Sequence, residues 1–262
     1  MNSPAQVLIL LVLAAVAGIY IRRALESSLA DPSRFPATAW GWPEAVFSGG
    51  LAGFFLWMAA ASVGREPVKV DLETVLTSLA LYGAICILLL GFLLTRGINP
   101  IDAFGLRWRA WKSEWICIPV SLILAFPFIY LAQGIAYQIS GPQTNPQPIV
   151  TFLLENPGWR DRLAVALVAI IAAPVTEELI FRGCLYGVCR RFAGRWAGMF
   201  FSSVVFALIH GHLPSLPGLL ILAIALTLVY ERTGSLWAAI GLHALFNGLT
   251  VLAAILWPEL AP

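Results

Sequence analysis

The sequence predicts an all-α fold, a polytopic membrane helix bundle with about eight transmembrane helices, and three observations carry that prediction. Of 262 residues, 60% are hydrophobic and only 11% charged, with a mean hydropathy of +0.84, whereas a soluble domain carries about 25% charge. Nearly uncharged apolar windows recur at the length of about 20 residues that crosses roughly 30 Å of hydrocarbon. Lys and Arg are shared unevenly among the loops, as membrane topology requires. Together these exclude a soluble enzyme and a disordered chain. A net charge of +2 with no basic stripe excludes a nucleic-acid partner. The expected surroundings are a lipid bilayer.

The elements follow in order. Residues 5–21 form the first span. Met1 to Pro4 carries no Lys or Arg while Arg22 and Arg23 follow the apolar run, the reverse of a cleavable signal, so this span reads as an anchor with a non-cytoplasmic N-terminus. Residues 45–63, 74–95 and 115–139 contain no charge and complete an N-terminal region, 1–160, of four spans and their loops. The loop at 140–162 sets Pro142, Pro146, Pro148 and Pro157 around an apolar stretch at 149–154, which predicts a short interfacial helix. Residues 161–262 then hold four spans at 163–187, 196–210, 216–230 and 235–257. The sixth and seventh are short and only five residues apart, so a partly re-entrant pair, giving seven spans, is the competing topology. With eight, one side gathers Arg22, Arg23, Arg34, Arg96, Arg107, Arg109, Lys112, Arg190, Arg191, Arg195 and Arg232, and the other Arg65, Lys69, Arg160 and Arg162. By that asymmetry both termini are non-cytoplasmic. The chain is expected to be integral to the cell (inner) membrane if its source is bacterial. The tail after Trp257 shows no retention or lipidation signal.

Of the 30 formal charges, all but Glu177, Glu178 and Arg182 fall in loops or at span ends. An ionisable residue at membrane depth is costly, which makes it a functional-site hypothesis. Residues four apart are neighbours on a helix, so Glu178 and Arg182 can neutralise one another. Glu177 points about 100° away and meets Ile180 and Phe181 instead, which leaves it free for chemistry. Pro174, one turn earlier, removes a backbone hydrogen bond. The competing structural reading is an ion-pair cluster that welds helices together. Two histidines lie on other spans: His210 ends the sixth, and His243 shares a face of the last with Asn247. His212 lies in the loop beyond His210. A carboxylate, imidazoles and an amide supply the parts for hydrolysis by activated water, with Glu177 as base, His210 on the water, and His243 and Asn247 donating to the oxyanion. Ser202, Ser203, Ser235 and Cys184 have no spaced base to make them nucleophiles. The four cysteines read as packing residues.

Glu177-Glu178-Leu179-Ile180-Phe181-Arg182 matches an EExxxR motif, Phe206 to His210 an FxxxH motif, and His243 to Asn247 an HxxxN motif. Three motifs, in order and on three spans, give a chain that resembles the CPBP family of intramembrane proteases, also called the CAAX prenyl protease 2 or Abi family, over residues 163–247. The resemblance implies a glutamate endopeptidase that needs no metal, with Glu177 as general base, His210 acting on the water, and His243 and Asn247 forming the oxyanion hole. Glu178 and Arg182 take supporting positions. The implied substrate is a peptide or a protein, prenylated or not.

Zinc is the alternative cofactor, held by Glu177, His210 and His243 with one open position. The sequence lacks HExxH and a second carboxylate spaced to orient the histidines, so no cofactor is expected. The alternative function is non-catalytic: an immunity protein of the bacteriocin type, or a transporter with a buried acid as proton relay. One difficulty stands. On straight helices Glu177 lies about 21 Å from the start of its span, while His210 is at the far end of the next, so they meet only if the spans are offset or the sixth does not reach across.

Overall fold

The computed structural model describes residues 12, 14–23, 26, 40–62, 70–106, 111–141, 147–156 and 158–258. Residues 5–11 and 13 of the first predicted span, the basic residues Arg34, Arg65, Lys69, Arg107 and Arg109, and Pro142, Pro146 and Pro157 lie outside the described residues, while residues 14–23 are helical. The protein is a polytopic helical bundle. From Trp42 on, the described helices of eight residues or more are, in chain order, α1 (Trp42–Ser62), α2 (Leu72–Thr95), α3 (Trp111–Ser140), α4 (Pro148–Glu155), α5 (Trp159–Ala193), α6 (Arg195–Leu208), α7 (Leu216–Thr233) and α8 (Leu236–Leu256). Among the described residues six helices are long and apolar enough to cross a membrane: α1, α2, α3, α5, α7 and α8. The fourteen-residue α6 spans only about 21 Å.

Helix ends follow local chemistry. Asp71 caps α2 by accepting from the backbone N–H and hydroxyl of Thr74 at 2.8 and 2.6 Å, satisfying one of the orphan donors of a helix start. Gly234 closes α7 at φ +67°, a left-handed conformation that glycine adopts without penalty. The predicted interfacial helix is α4, and its Phe152 and Leu153 pack with Val75, Val165, Val168 and Ala254. The main core runs from Trp40 to Leu242, so helices from both predicted regions share it.

Burial is inverted relative to a soluble protein. Leu88 on α2 is 68% exposed, whereas Glu178 and Arg182 are fully buried, which fits lipid as the solvent for the outer surface. Two charges at span ends are also buried. Glu44 accepts from Arg96 at 3.0 Å. Glu231, in the last turn of α7, accepts from Arg195 at 2.9 Å and from the Tyr186 hydroxyl, with Arg190 at 3.4 Å. A position at the end of a span therefore does not mean exposure, because neighbouring helix ends supply the counter-charge.

Helices α5 and α6 form an antiparallel hairpin about Gly194. They approach so closely at Gly198 that a Cβ there would sit 2.9 Å from the backbone nitrogen of Arg190. The hairpin resolves the difficulty of depth. Helix α5 runs to Ala193, beyond its predicted end, and α6 stops at Leu208. Glu177 and His210 are then about 25 and 24 Å from the Gly194 turn, at one level. The sixth helix is the one that does not reach across.

Candidate active site

Helix α5 sets the site. It contains two π-helical stretches, Leu167–Ala172 and Leu179–Tyr186, either side of the α-helical Ala173–Glu178. Wide turns of this kind recur at functional sites because they rotate the side chains that follow. The first stretch has a sequence cause. The N–H of Ala173 donates to the carbonyl of Val168, so in that register the carbonyl of Ala169 falls to residue 174, a proline with no N–H to give. The Asn247 amide fills the gap, donating to the Ala169 carbonyl at 2.8 Å. Asn247 thereby ties α8 to the widened turn of α5.

Glu178 and Arg182 pair at 2.9 Å and both are fully buried. Glu178 Oε1 also accepts from His243 Nδ1 at 2.8 Å. The guanidinium of Arg182 lies 4.5 Å over the ring of Phe206 on α6, and its second arm donates to the Ala223 carbonyl on α7 at 3.1 Å. Two residues of α5 thus engage α6, α7 and α8, and the welding role open to the cluster falls on Glu178 and Arg182. Glu177 stands apart from them. Its Oε1 accepts from the Tyr82 hydroxyl of α2 at 3.4 Å, and its Oε2 has no hydrogen-bond partner and lies 3.9 Å from His243 Nε2.

The two imidazoles have defined tautomers when neutral. A carboxylate and a carbonyl can only accept, so Nδ1 of His243 carries the proton given to Glu178, and Nδ1 of His210 the one given to the Phe206 carbonyl at 2.8 Å. Both Nε2 atoms are left for the site. The ring of Phe206 connects them, 4.9 Å from His210 and 5.6 Å from His243. His210 is within electrostatic reach of Glu177 and His243. The structure therefore brings Glu177, Glu178, Arg182, His210 and His243 together, and sets Asn247 one turn along α8 with one amide hydrogen committed to Ala169. His212 belongs elsewhere, against Ser215 at 2.7 Å. Among the described residues no three His, Cys, Asp or Glu side chains are placed to hold a metal ion.

An apolar cleft of about 720 Å³, lined by none of the motif residues, opens between α3, α5 and α8 at Ile118, Pro119, Ile170, Trp237, Gly241 and Gly248 among others. Sequence reasoning missed Tyr82 and the Cys86 that touches Thr176 at 3.2 Å. Tyr82 carries no charge, and the only signal available was a lone phenol in an otherwise apolar span, whose hydroxyl has to find a partner.

Residues 159–249 match the family model described as Type II CAAX prenyl endopeptidase Rce1-like. UPF0177 protein YaiF of Lactococcus lactis subsp. lactis (strain IL1403) is 35% identical over 146 residues, 53% of this chain and 63% of that protein. The Bacillus subtilis (strain 168) protein named "Putative membrane peptidase YdiL" is 26% identical over 145 residues, 52% of this chain and 57% of that protein. The chain thus spans less than two thirds of the length of these curated relatives. No solved structure matches. All seven motif residues fall within the matched segment, and Tyr82 falls outside it.

Proposed function

We propose that this chain, which belongs to the CPBP family through residues 159–249, is an intramembrane endopeptidase that hydrolyses a peptide bond with water activated by Glu177. The observation that carries the reading is Glu177, a buried carboxylate outside the Glu178–Arg182 pair whose Oε2 has no hydrogen-bond partner and faces an imidazole; Glu178 Oε2 is also unpartnered, but its Oε1 is held by Arg182 and His243. An unpartnered buried acceptor in a native fold calls for an explanation, and a base awaiting its proton is one.

In the proposed reaction Glu177 Oε2 takes a proton from water while the lone pair on His210 Nε2 orients it. The water oxygen attacks the scissile carbonyl, and the negative charge on the carbonyl oxygen is met by His243 and by the second amide hydrogen of Asn247. His243 donates from Nε2 when that nitrogen is protonated, and Glu178 at Nδ1 holds the ring in place for it, as an orienting carboxylate does in a catalytic triad. The proton on Glu177 passes to the leaving amine, which departs as the C–N bond breaks. The products are a carboxylic acid and an amine, with no metal in any step. The apolar cleft beside α8 supports a substrate that is itself membrane-associated.

The test is a comparison of peptide termini, by mass spectrometry, in membranes from cells expressing the wild-type chain, Glu177→Ala or Glu177→Gln, at matched expression. New termini present only with the wild type are expected, unchanged when the cleavage is repeated in detergent with a metal chelator. Their C-terminal residues show whether the substrate is prenylated. Identical termini in all three samples would sink the peptidase reading and favour the immunity or proton-relay alternative.

A further inference from the structure

We propose that Tyr82 is a positioning residue for this reaction, holding one oxygen of Glu177 so that the other serves as the base; the inference rests on the peptidase reading above. The residues of α2 that make these contacts lie outside the family-matched segment. Tyr82 is on α2, and its hydroxyl donates to Glu177 Oε1 at 3.4 Å. The same stretch of α2 grips the preceding residue, because the Thr176 hydroxyl lies 3.2 Å from Cys86 Sγ and 3.5 Å from the Tyr82 carbonyl. Helix α2 thus fixes both the backbone position and the carboxylate rotation at Thr176 and Glu177.

The reason for such a device lies in what surrounds Glu177. From α8, His243 Nε2 stands 3.9 Å from Oε2. His210 reaches it electrostatically from the turn after α6. On α5 itself Glu178 and Arg182 are already engaged with one another. None of these groups hydrogen-bonds to Oε1. Without the phenol, the carboxylate could turn about its terminal torsion, which is broad and roughly two-fold, and present either oxygen, or neither, to the water. A tyrosine suits this task in an apolar span, because it supplies a single donor on a rigid apolar ring and adds no charge.

The experiment uses the full chain, purified and placed in lipid nanodiscs. The infrared carboxylate stretch of Glu177 is assigned as the band lost in Glu177→Gln and followed in Tyr82→Phe and Cys86→Ala. Tyr82→Phe is expected to move that band, and to lower kcat about tenfold with KM within about twofold on a peptide spanning the cleavage site mapped above. Cys86→Ala, which loosens the same helix contact without touching the carboxylate, should leave the band in place. A band unmoved in Tyr82→Phe, an unchanged kcat, or an equal shift in Cys86→Ala overturns the role of Tyr82 while leaving Glu177 as base. Cleavage that survives in Glu177→Gln overturns the base itself, and the positioning role with it.

Discussion

Glu177 and Glu178 are adjacent and chemically identical, and the structure separates them by what each touches. Each leaves Oε2 without a hydrogen-bond partner, but Glu178 has a guanidinium and an imidazole on Oε1. Glu177 has a phenol on one oxygen and no hydrogen bond on the other. Of the two readings open to the sequence, the welding ion cluster describes Glu178, and the free catalytic base is proposed for Glu177. Removing the charge of Glu178 leaves Arg182 buried without its counter-ion, which costs about 3 kcal/mol or more. Gln also offers an amide donor where His243 needs an acceptor, which favours the wrong tautomer. Glu178→Gln should accordingly unfold at a lower temperature in detergent and cleave about a hundredfold more slowly, whereas Glu177→Gln should match wild-type unfolding with no cleavage. The pairing of Glu178 with Arg182 was legible because a helix fixes its i+4 neighbour. The contact with His243 was not, because it joins residues 65 apart and depends on how α8 rotates against α5.

At the level of elements, the departure of α5 from regular α geometry links a proline to a residue of the HxxxN motif. Pro174 in the sequence signalled a lost hydrogen bond. Which carbonyl would be orphaned depended on the π register that precedes it, and no pattern of apolar residues reports that register. Asn247→Ala leaves the Ala169 carbonyl unpaired and should cost about 1 to 3 kcal/mol. Pro174→Ala supplies the missing N–H, so the two substitutions should not be additive: a double-mutant cycle on thermal unfolding should show Asn247→Ala costing about 1 kcal/mol less in the Pro174→Ala background. Additive effects would mean that Asn247 does not serve that carbonyl. The hairpin of α5 and α6 shows the same limit. Its apolar composition was plain, but the ends of both helices were placed by charge and hydropathy, and the true stop of α6 depends on the turn at Ile209 to Gly211.

For the whole molecule, composition and window length were enough for the fold class, because lipid asks only that helices be apolar and satisfy their own backbone. The contribution of α2 to the site was beyond reach: Tyr82 becomes visible only when α2 is laid against α5. Helix α6 carries a further consequence for the surrounding lipid. At about 21 Å it falls roughly 9 Å short of a hydrocarbon layer about 30 Å thick, and its outer face still exposes Trp196, Phe200 and Leu208. Lipid beside a helix this short compresses toward it, at a cost of a fraction of a kcal/mol per ångström of mismatch. The chain should therefore be sensitive to acyl-chain length. Reconstituted into vesicles graded in thickness, it should cleave fastest in the thinner bilayers, where less lipid deformation is needed to bring an interfacial peptide bond down to the level of Glu177.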